Sequence, residues 1–232
     1  MKLEKLTTES VHEEKRRFQD ACGLAHAVEL LGERWAILVL RELLLGPRRF
    51  SELKADLPGI SANVLTQRLT ELEDRGLVRK KKLPPPASVQ VYEATEWALD
   101  AGPILCQLGR WAFRSPRHDP SQPVSPVAIM LSMQTNFDPS LAGDFGGTIA
   151  FRFGQTRYWA KVSDRTLEIG SGDVRDADAT LICSPDDMKP ILYGGAPVDM
   201  VQVEGNVTAA GRFVRMFSLP PKANVDCKQL GC

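Results

Sequence analysis

The sequence predicts an α+β protein of two domains, and three observations carry that expectation. In the N-terminal part, apolar residues recur at helical spacing and then give way to a short basic pair of strands. The stretch "SPRHDPSQPVSP", residues 115–126, holds four prolines in twelve residues and almost no apolar side chains, so neither helix nor central strand persists there. Beyond it, short alternating segments rich in β-branched and aromatic residues are separated by turn signals and followed by helical patterns. The expected organisation is a first domain at 1–114, a linker at 115–126, a second domain at 127–220 and a disordered tail at 221–232.

The elements follow in order. "CGLAHAVELLGERWAILVLRELLLG" fits two helices, with Gly32 near the break and Gly46 as the stop. "RFSELKADL" is a short helix with Ser51 as its expected N-cap, and "PGI" is a turn. Ser61 caps a longer helix that Gly76 ends. "LVRKKKLPPPASVQVYEAT" reads as two strands around a proline-rich tip. "TEWALDAGPILCQLGRWAFR" returns to helix, with Pro103 either kinking it or opening its second part. After the linker, "VAIMLSMQTNF" is read as helix rather than buried strand. "GTIAFRF", "RYWAKVS", "TLEIG" and "ATLICS" are read as meandering antiparallel strands, giving a mostly antiparallel sheet with packed helices. "SPDDMKPILYGG" has a serine cap and an acidic first turn, and "VTAAGRFVRMF" is a final amphipathic helix.

Bulk properties narrow the function classes. A formal net charge of zero argues against a uniformly basic coat for nucleic acid, so local clusters such as "GPRR" and "RKKK" carry more information. No apolar run approaches the span of a bilayer, and the opening residues lack the apolar core of a secretory signal. The expectation is therefore a cytoplasmic protein without a membrane partner. The five cysteines are scattered and form no C-x-x-C pair, and none of the three histidines sits at metal-ligand spacing from a cysteine. Neither a disulfide framework nor a metal is expected, and no cofactor. There is no G-x-S-x-G, no histidine beside a candidate nucleophile and no glycine-rich phosphate loop, so an enzyme is not expected.

The helix from Ser61 to Arg75 has two faces. Leu65, Leu69 and Leu72 form a stripe to bury, with Val64 at its flank, while Asn63, Thr66, Gln67 and Thr70 recur at i, i+3, i+4 and i+7 on the other side. Asn and Gln offer a donor and an acceptor together, which suits adenine in the major groove, and Thr can meet the thymine methyl. Ala62 is small enough for close approach, and Arg68, between the faces, is expected to reach a phosphate. By itself such a polar stripe fits any solvated helix face. A short helix and tight turn before it, Arg48 and Arg49 ahead of that helix, and Arg79, Lys80, Lys81 and Lys82 on the strand after it supply the order of a winged helix-turn-helix, in which base-facing amides specify and flanking cations hold phosphates.

On these residues the N-terminal part resembles the HxlR-type winged-helix regulators, relatives of the MarR group. The runs "RELLLGPRRFSEL", "PGISANVLTQRLTEL" and "GLV" carry the likeness over roughly residues 20–113. Departures are Cys22-Gly23, where the family usually has Cys-Pro, and "YEATEWALDAG", which inserts Trp97 after the wing. The resemblance implies a homodimer on paired operator half-sites, with the first helix and "GPILCQLGRWAFR" building the dimer interface. It also implies a possible oxidant-sensing role for Cys22, beside the plainer reading of a small thiol at that interface.

The C-terminal part resembles a sterol carrier protein type 2-like domain through "ADAT" before a strand, "SPDD" opening a helix, the "GG" turn and "VQVEG" before the last helix. That resemblance implies a cavity for an apolar small molecule, with Phe151, Phe153, Trp159, Leu181, Met188, Leu192, Met200, Met216 and Phe217 as its expected lining; the same residues would equally fill a core. The leading expectation is a dimeric, sequence-specific transcriptional regulator modulated by an apolar ligand. The competing one is an apolar-ligand carrier or a Cys22 redox sensor, with the helical part as an interaction module.

Overall fold

A computed structural model describes residues 18–85 and 88–224. Cys227 and Cys232, most of the expected tail, and Pro86 and Ala87 at the wing tip lie outside the described residues. The chain divides into two compact units, one running through Leu40 together with Arg48–Ala98, the other comprising Arg41–Pro47 and the residues from Leu99 onward.

The first unit contains α1 (Gly23–Leu31), most of α2 (Ala36–Leu43), α3 (Phe50–Asp56), α4 (Ala62–Asp74), the antiparallel pair β1 (Val78–Lys82) and β2 (Gln90–Ala94), and the start of α5 (Glu96–Asp100). Its core is built on Leu40, Leu53, Leu57, Ile60, Leu65, Leu69 and Leu72, each at most 2% exposed. Ser61 caps α4 by accepting the Val64 N–H at 3.2 Å. The other end closes with paired backbone bonds, Gly76 N to Glu73 O and Leu77 N to Leu72 O. These satisfy the last carbonyls and need Gly76 at φ +73, a conformation that glycine adopts without penalty. The chain therefore leaves α4 directly into β1. In α3 the expected cap is corrected: Ser51 lies inside the helix, and Glu52 closes the first turn by accepting the Arg49 N–H at 2.7 Å.

The second unit contains α6 (Gly102–Phe113), with Pro103 in its first turn, then α7 (Pro126–Asn136), α8 (Pro139–Ala142), β3 (Gly147–Phe153), β4 (Thr156–Ser163), β5 (Thr166–Ser171), β6 (Ala179–Cys183), α9 (Pro185–Tyr193), β7 (Gln202–Gly205) and α10 (Val207–Phe213). The compact unit begins ahead of α6, not at the proline-rich stretch. Arg110 on α6 donates to Thr135 O at 3.0 Å and to the side-chain Oδ1 of Asn136 at 3.1 Å, and so engages a backbone carbonyl at the end of α7. Helix α7 buries Val127, Ile129, Met130, Leu131 and Met133, which lie on several sides of it. Such a helix has no clean polar face, and this explains why its sequence reads ambiguously.

The sheet order is β5-β4-β3-β6-β7. Most neighbours are antiparallel, but β6 runs parallel to β3, with Ile149 opposite Ala179 and Phe153 opposite Cys183. The antiparallel meander expected from sequence therefore holds for β3, β4 and β5 and then breaks. The chain crosses back to the free side of β3, where Asp178 ties the crossing down. Its Oδ2 accepts the Thr148 N–H at 2.7 Å, and its carbonyl accepts the Asn206 N–H at 2.8 Å. Gly205, at φ +91, lets β7 come this close, since a Cβ there would stand 2.6 Å from Asp178 O. Ile149, Phe151, Phe153, Tyr158, Ala160, Val162 and Leu181 point from the sheet into one core with Met188, Phe213 and Met216.

Phe151 is fully buried and meets the rings of Phe153 and Phe213, whereas Met200 is 64% exposed. Phe151→Ala is expected to destabilise the C-terminal unit by about 3–5 kcal/mol. Met200→Ala is expected to stay within about 0.5 kcal/mol. Urea unfolding of the two variants checks the contrast.

Candidate nucleic-acid interface

Helix α4 is held by one side only. Leu65, Leu69 and Leu72 are buried, while Ser61, Ala62, Asn63, Thr66, Gln67 and Thr70 are exposed. The expected stripe of small and amide side chains is therefore brought together on one solvent-facing surface. Two members have local partners: Thr66 Oγ1 donates to Ala62 O at 3.0 Å, and Gln67 Nε2 donates to Glu71 Oε1 at 3.0 Å. An i,i+4 contact of this kind contributes only about 0.2–0.5 kcal/mol, so the Gln67 amide can exchange it for a base edge at little cost.

The cations divide into two groups. Arg68 does not lie between the faces as expected. It is 6% exposed and ion-paired to Glu71 at 2.7 Å and to Glu33 at 3.2 Å. Arg48 is likewise buried, with Asp56 and Glu52 as its ion-pair partners, and its backbone bridges to Tyr92. Both are structural arginines, since a nearly buried guanidinium cannot turn to a phosphate without giving up two carboxylates, of which Asp56 and Glu71 are themselves mostly buried. Arg49, by contrast, is exposed.

On the wing, the strand register sorts the basic run. Arg79 and Lys81 both pair with Glu93 of β2, Lys81 at 3.1 Å. Burial works to raise the Glu93 carboxyl, but hydrogen bonds from Arg79 and Lys81 outweigh it and hold the group below the ordinary carboxylate range. Lys80 bonds Glu73 at the end of α4, which raises its ammonium above the usual value, and it lies 6.0 Å from the Tyr92 ring centre. Lys82 is exposed and has no carboxylate partner among the described residues. Sequence reasoning missed Glu73 and Glu93 as neutralisers. The strand alternation that puts Arg79 and Lys81 on one side was visible; Glu93 as the residue facing them was not. It also passed over Arg34, exposed and 5.6 Å from the Trp35 ring centre.

Two helices carry apolar residues that their own units leave uncovered. No residue of α1 or of α6 is buried. Leu24 and Val28 stand one turn apart on α1, and Ile104, Leu108 and Trp111 stand at i, i+4 and i+7 on α6, with Ile104 and Trp111 about 70% exposed. Cys22, also exposed, immediately precedes α1. The backbone N–H groups of Ala25 and then Leu24 at the helix N-terminus favour its thiolate and lower the thiol below its ordinary value.

In the second unit, the expected lining residues fall into two sets. Phe151, Phe153, Leu181, Met188, Leu192, Met216 and Phe217 meet in the core. Trp159 does not join them. It sits on the opposite sheet face, across from Ala150 and against Gly170, while Met200 faces solvent. A separate cleft of about 240 Å³ is lined by Ile191, Pro197, Val198, Val207, Val214 and Arg215 among others, and includes none of the expected residues.

Comparison with known proteins matches residues 30–119 to the model described as HxlR-like helix-turn-helix. The transcriptional regulator YvaP of Bacillus subtilis, described as uncharacterised, is 40% identical over 86 residues, which cover 37% of this chain and 80% of that protein. The B. subtilis regulator YodB is 35% identical over 86 residues, covering 37% and 77%. The solved reduced form of YodB is 30% identical and covers 44% of this chain and all of that one, at a TM-score of 0.39. With the matched family model and a relative 40% identical over four-fifths of its own length, the chain belongs to the HxlR-like helix-turn-helix family of transcriptional regulators.

Proposed function

We propose that the protein acts as a homodimer on a near-palindromic operator, with α4 in the major groove and its C-terminal unit responsive to an apolar small molecule. The observation that carries this is the stripe of Asn63, Thr66, Gln67 and Thr70, exposed on a helix whose other side is anchored by three buried leucines. Asn63 and Gln67 read base edges, while Arg49, Lys82 and the carboxylate-paired Arg79, Lys80 and Lys81 lie along phosphates. The uncovered faces of α1 and α6 support assembly, since an isolated chain would leave Ile104, Leu108 and Trp111 in water. The resemblance of the C-terminal unit to a sterol carrier-like domain, its aromatic and methionine core and its apolar cleft support a ligand-binding role.

A second reading, redox sensing at Cys22, is favoured by one observation: the thiol is exposed at a helix N-terminus that lowers its pKa. Its thiolate fraction at neutral pH then exceeds that of an ordinary cysteine. The rate of alkylation by iodoacetamide, followed at Cys22 by peptide mass spectrometry, is expected to reach its plateau at a lower pH than for a free thiol. A profile no different from that of a free thiol would remove the basis for this reading.

Asn63→Ala and Gln67→Ala are each expected to cost about 1–3 kcal/mol and to relax preference at their own base positions, measured by fluorescence anisotropy on the upstream intergenic DNA and its single-base variants. Lys82→Ala is expected to weaken binding evenly across sequences and to reduce the salt slope by about one. Arg68→Ala, by contrast, should act on stability before it acts on DNA. Unchanged base preference in the Asn63/Gln67 double variant rejects α4 as the reading element.

A further inference from the structure

Among the described residues of the first unit, helix α1 is the least anchored helix, because none of its residues is buried. Its far end is nevertheless tied to the reading helix. Arg75, at the C-cap of α4, donates from Nη1 to Leu30 O in the last turn of α1 at 2.9 Å. One residue past the α1 cap, Glu33 reaches Arg68 of α4 at 3.2 Å, and Arg68 is nearly buried. Between these ties and α2 the backbone turns a sharp corner. Gly32 closes α1, and Trp35 stands at φ +78, a costly conformation for a bulky residue, with its ring tip over Gly59. Such a corner persists only where its surroundings hold it in place.

We propose that Arg75 and Arg68 are positioning residues for DNA reading. They latch α4 to the α1 corner, so that seating α1 against a second copy sets the order of the reading helix. The proposal rests on the dimeric reading above and adds the route by which assembly reaches the DNA-facing stripe. Both ties reach α4 from the side opposite Asn63 and Thr70, so they leave the reading surface clear. The C-cap contact also joins two helix ends, where a carbonyl of α1 otherwise lacks an intrahelical partner. Coupling through the corner is reciprocal: by whatever factor assembly favours the DNA-competent α4, DNA favours assembly.

The test is hydrogen exchange by mass spectrometry on the full chain, following the amides of residues 62–74 across the range of concentration in which sedimentation reports assembly. In the unaltered protein, exchange of this segment is expected to slow at least threefold on assembly. In the Glu33→Gln/Arg75→Met double variant, the chain still assembles but that change falls by more than half, and Arg75→Lys, which keeps a donor, restores it. A full-sized response in the double variant overturns the latch. If sedimentation finds only monomer at all concentrations, the dimeric reading fails by itself; whether only monomer or only dimer is found, the latch is judged on Arg75→Met alone: exchange of 62–74 accelerated at least twofold upholds the tie, and unchanged exchange overturns it.

Discussion

Leu65, Leu69 and Leu72 are each at most 1% exposed, and their burial fixes α4 by a single face. Each contributes roughly 1.5–3 kcal/mol relative to an exposed side chain. With the position of α4 secured by apolar contact, its outer face is released from structural work. Asn63 and Thr70 are exposed there, and Gln67 is held only by a weak contact along its own helix. The Ser61 cap and the Gly76 turn set where this helix starts and stops, and so fix which residues face outward.

Charge is then a matter of which cations the fold uses up. Arg48 and Arg68 sit where the desolvation of a guanidinium is large, and each is met by two carboxylates. They hold α3, α4 and the α1 corner together, and they are poor candidates for phosphate contact. The Lys80–Glu73 pair is at the surface, where an ion pair contributes at most about 1 kcal/mol, so Lys80 can exchange it for phosphate, whereas Glu93 is buried and Arg79 and Lys81 cannot both leave it without stranding its charge. Lys82 gives up no carboxylate to reach phosphate. A run of four basic residues thus has three members that are partly neutralised before any DNA arrives.

What could be read from the sequence was local, and what could not depended on distant partners. Ser61, Ser184, Gly76 and the leucine stripe announce themselves within a turn of helix, and all act in the structure as their chemistry requires. Arg48 and Arg68 read as phosphate contacts because their burial is not visible in sequence: Glu52 and Glu71 stand within a helical turn of them, but only folding encloses both guanidiniums and brings Asp56 and Glu33 to them. The crossing of β6 to the far side of β3 was hidden for a related reason: alternation tells which face a residue takes, not which strand lies beside it. Trp159 is different. Tyr158, Ala160 and Val162 alternate toward the core, so the period of β4 alone would have placed Trp159 on the other face.

Apolar surface is resolved in two opposite ways in this protein, and this bears on how it works. In the C-terminal unit the aromatic rings converge: Phe151, Phe153, Phe213 and Phe217 lie within ring-contact distance of one another or of a shared neighbour, and α7 is buried on several sides. A core so closed stabilises its own unit, and the cleft beside α9 and α10 lies outside it. On α1 and α6 the reverse holds, since neither helix buries a residue and their leucine, isoleucine and tryptophan side chains face outward. Helices so apolar and so uncovered gain most of their stability from whatever packs on them. Their positions are therefore the most responsive to a partner, and Arg110 ties α6 to the end of α7 just as Arg75 ties α1 to the end of α4. Each outward-facing helix is thus tied through an arginine to the end of another helix, a contact that orients it while leaving its apolar face uncovered.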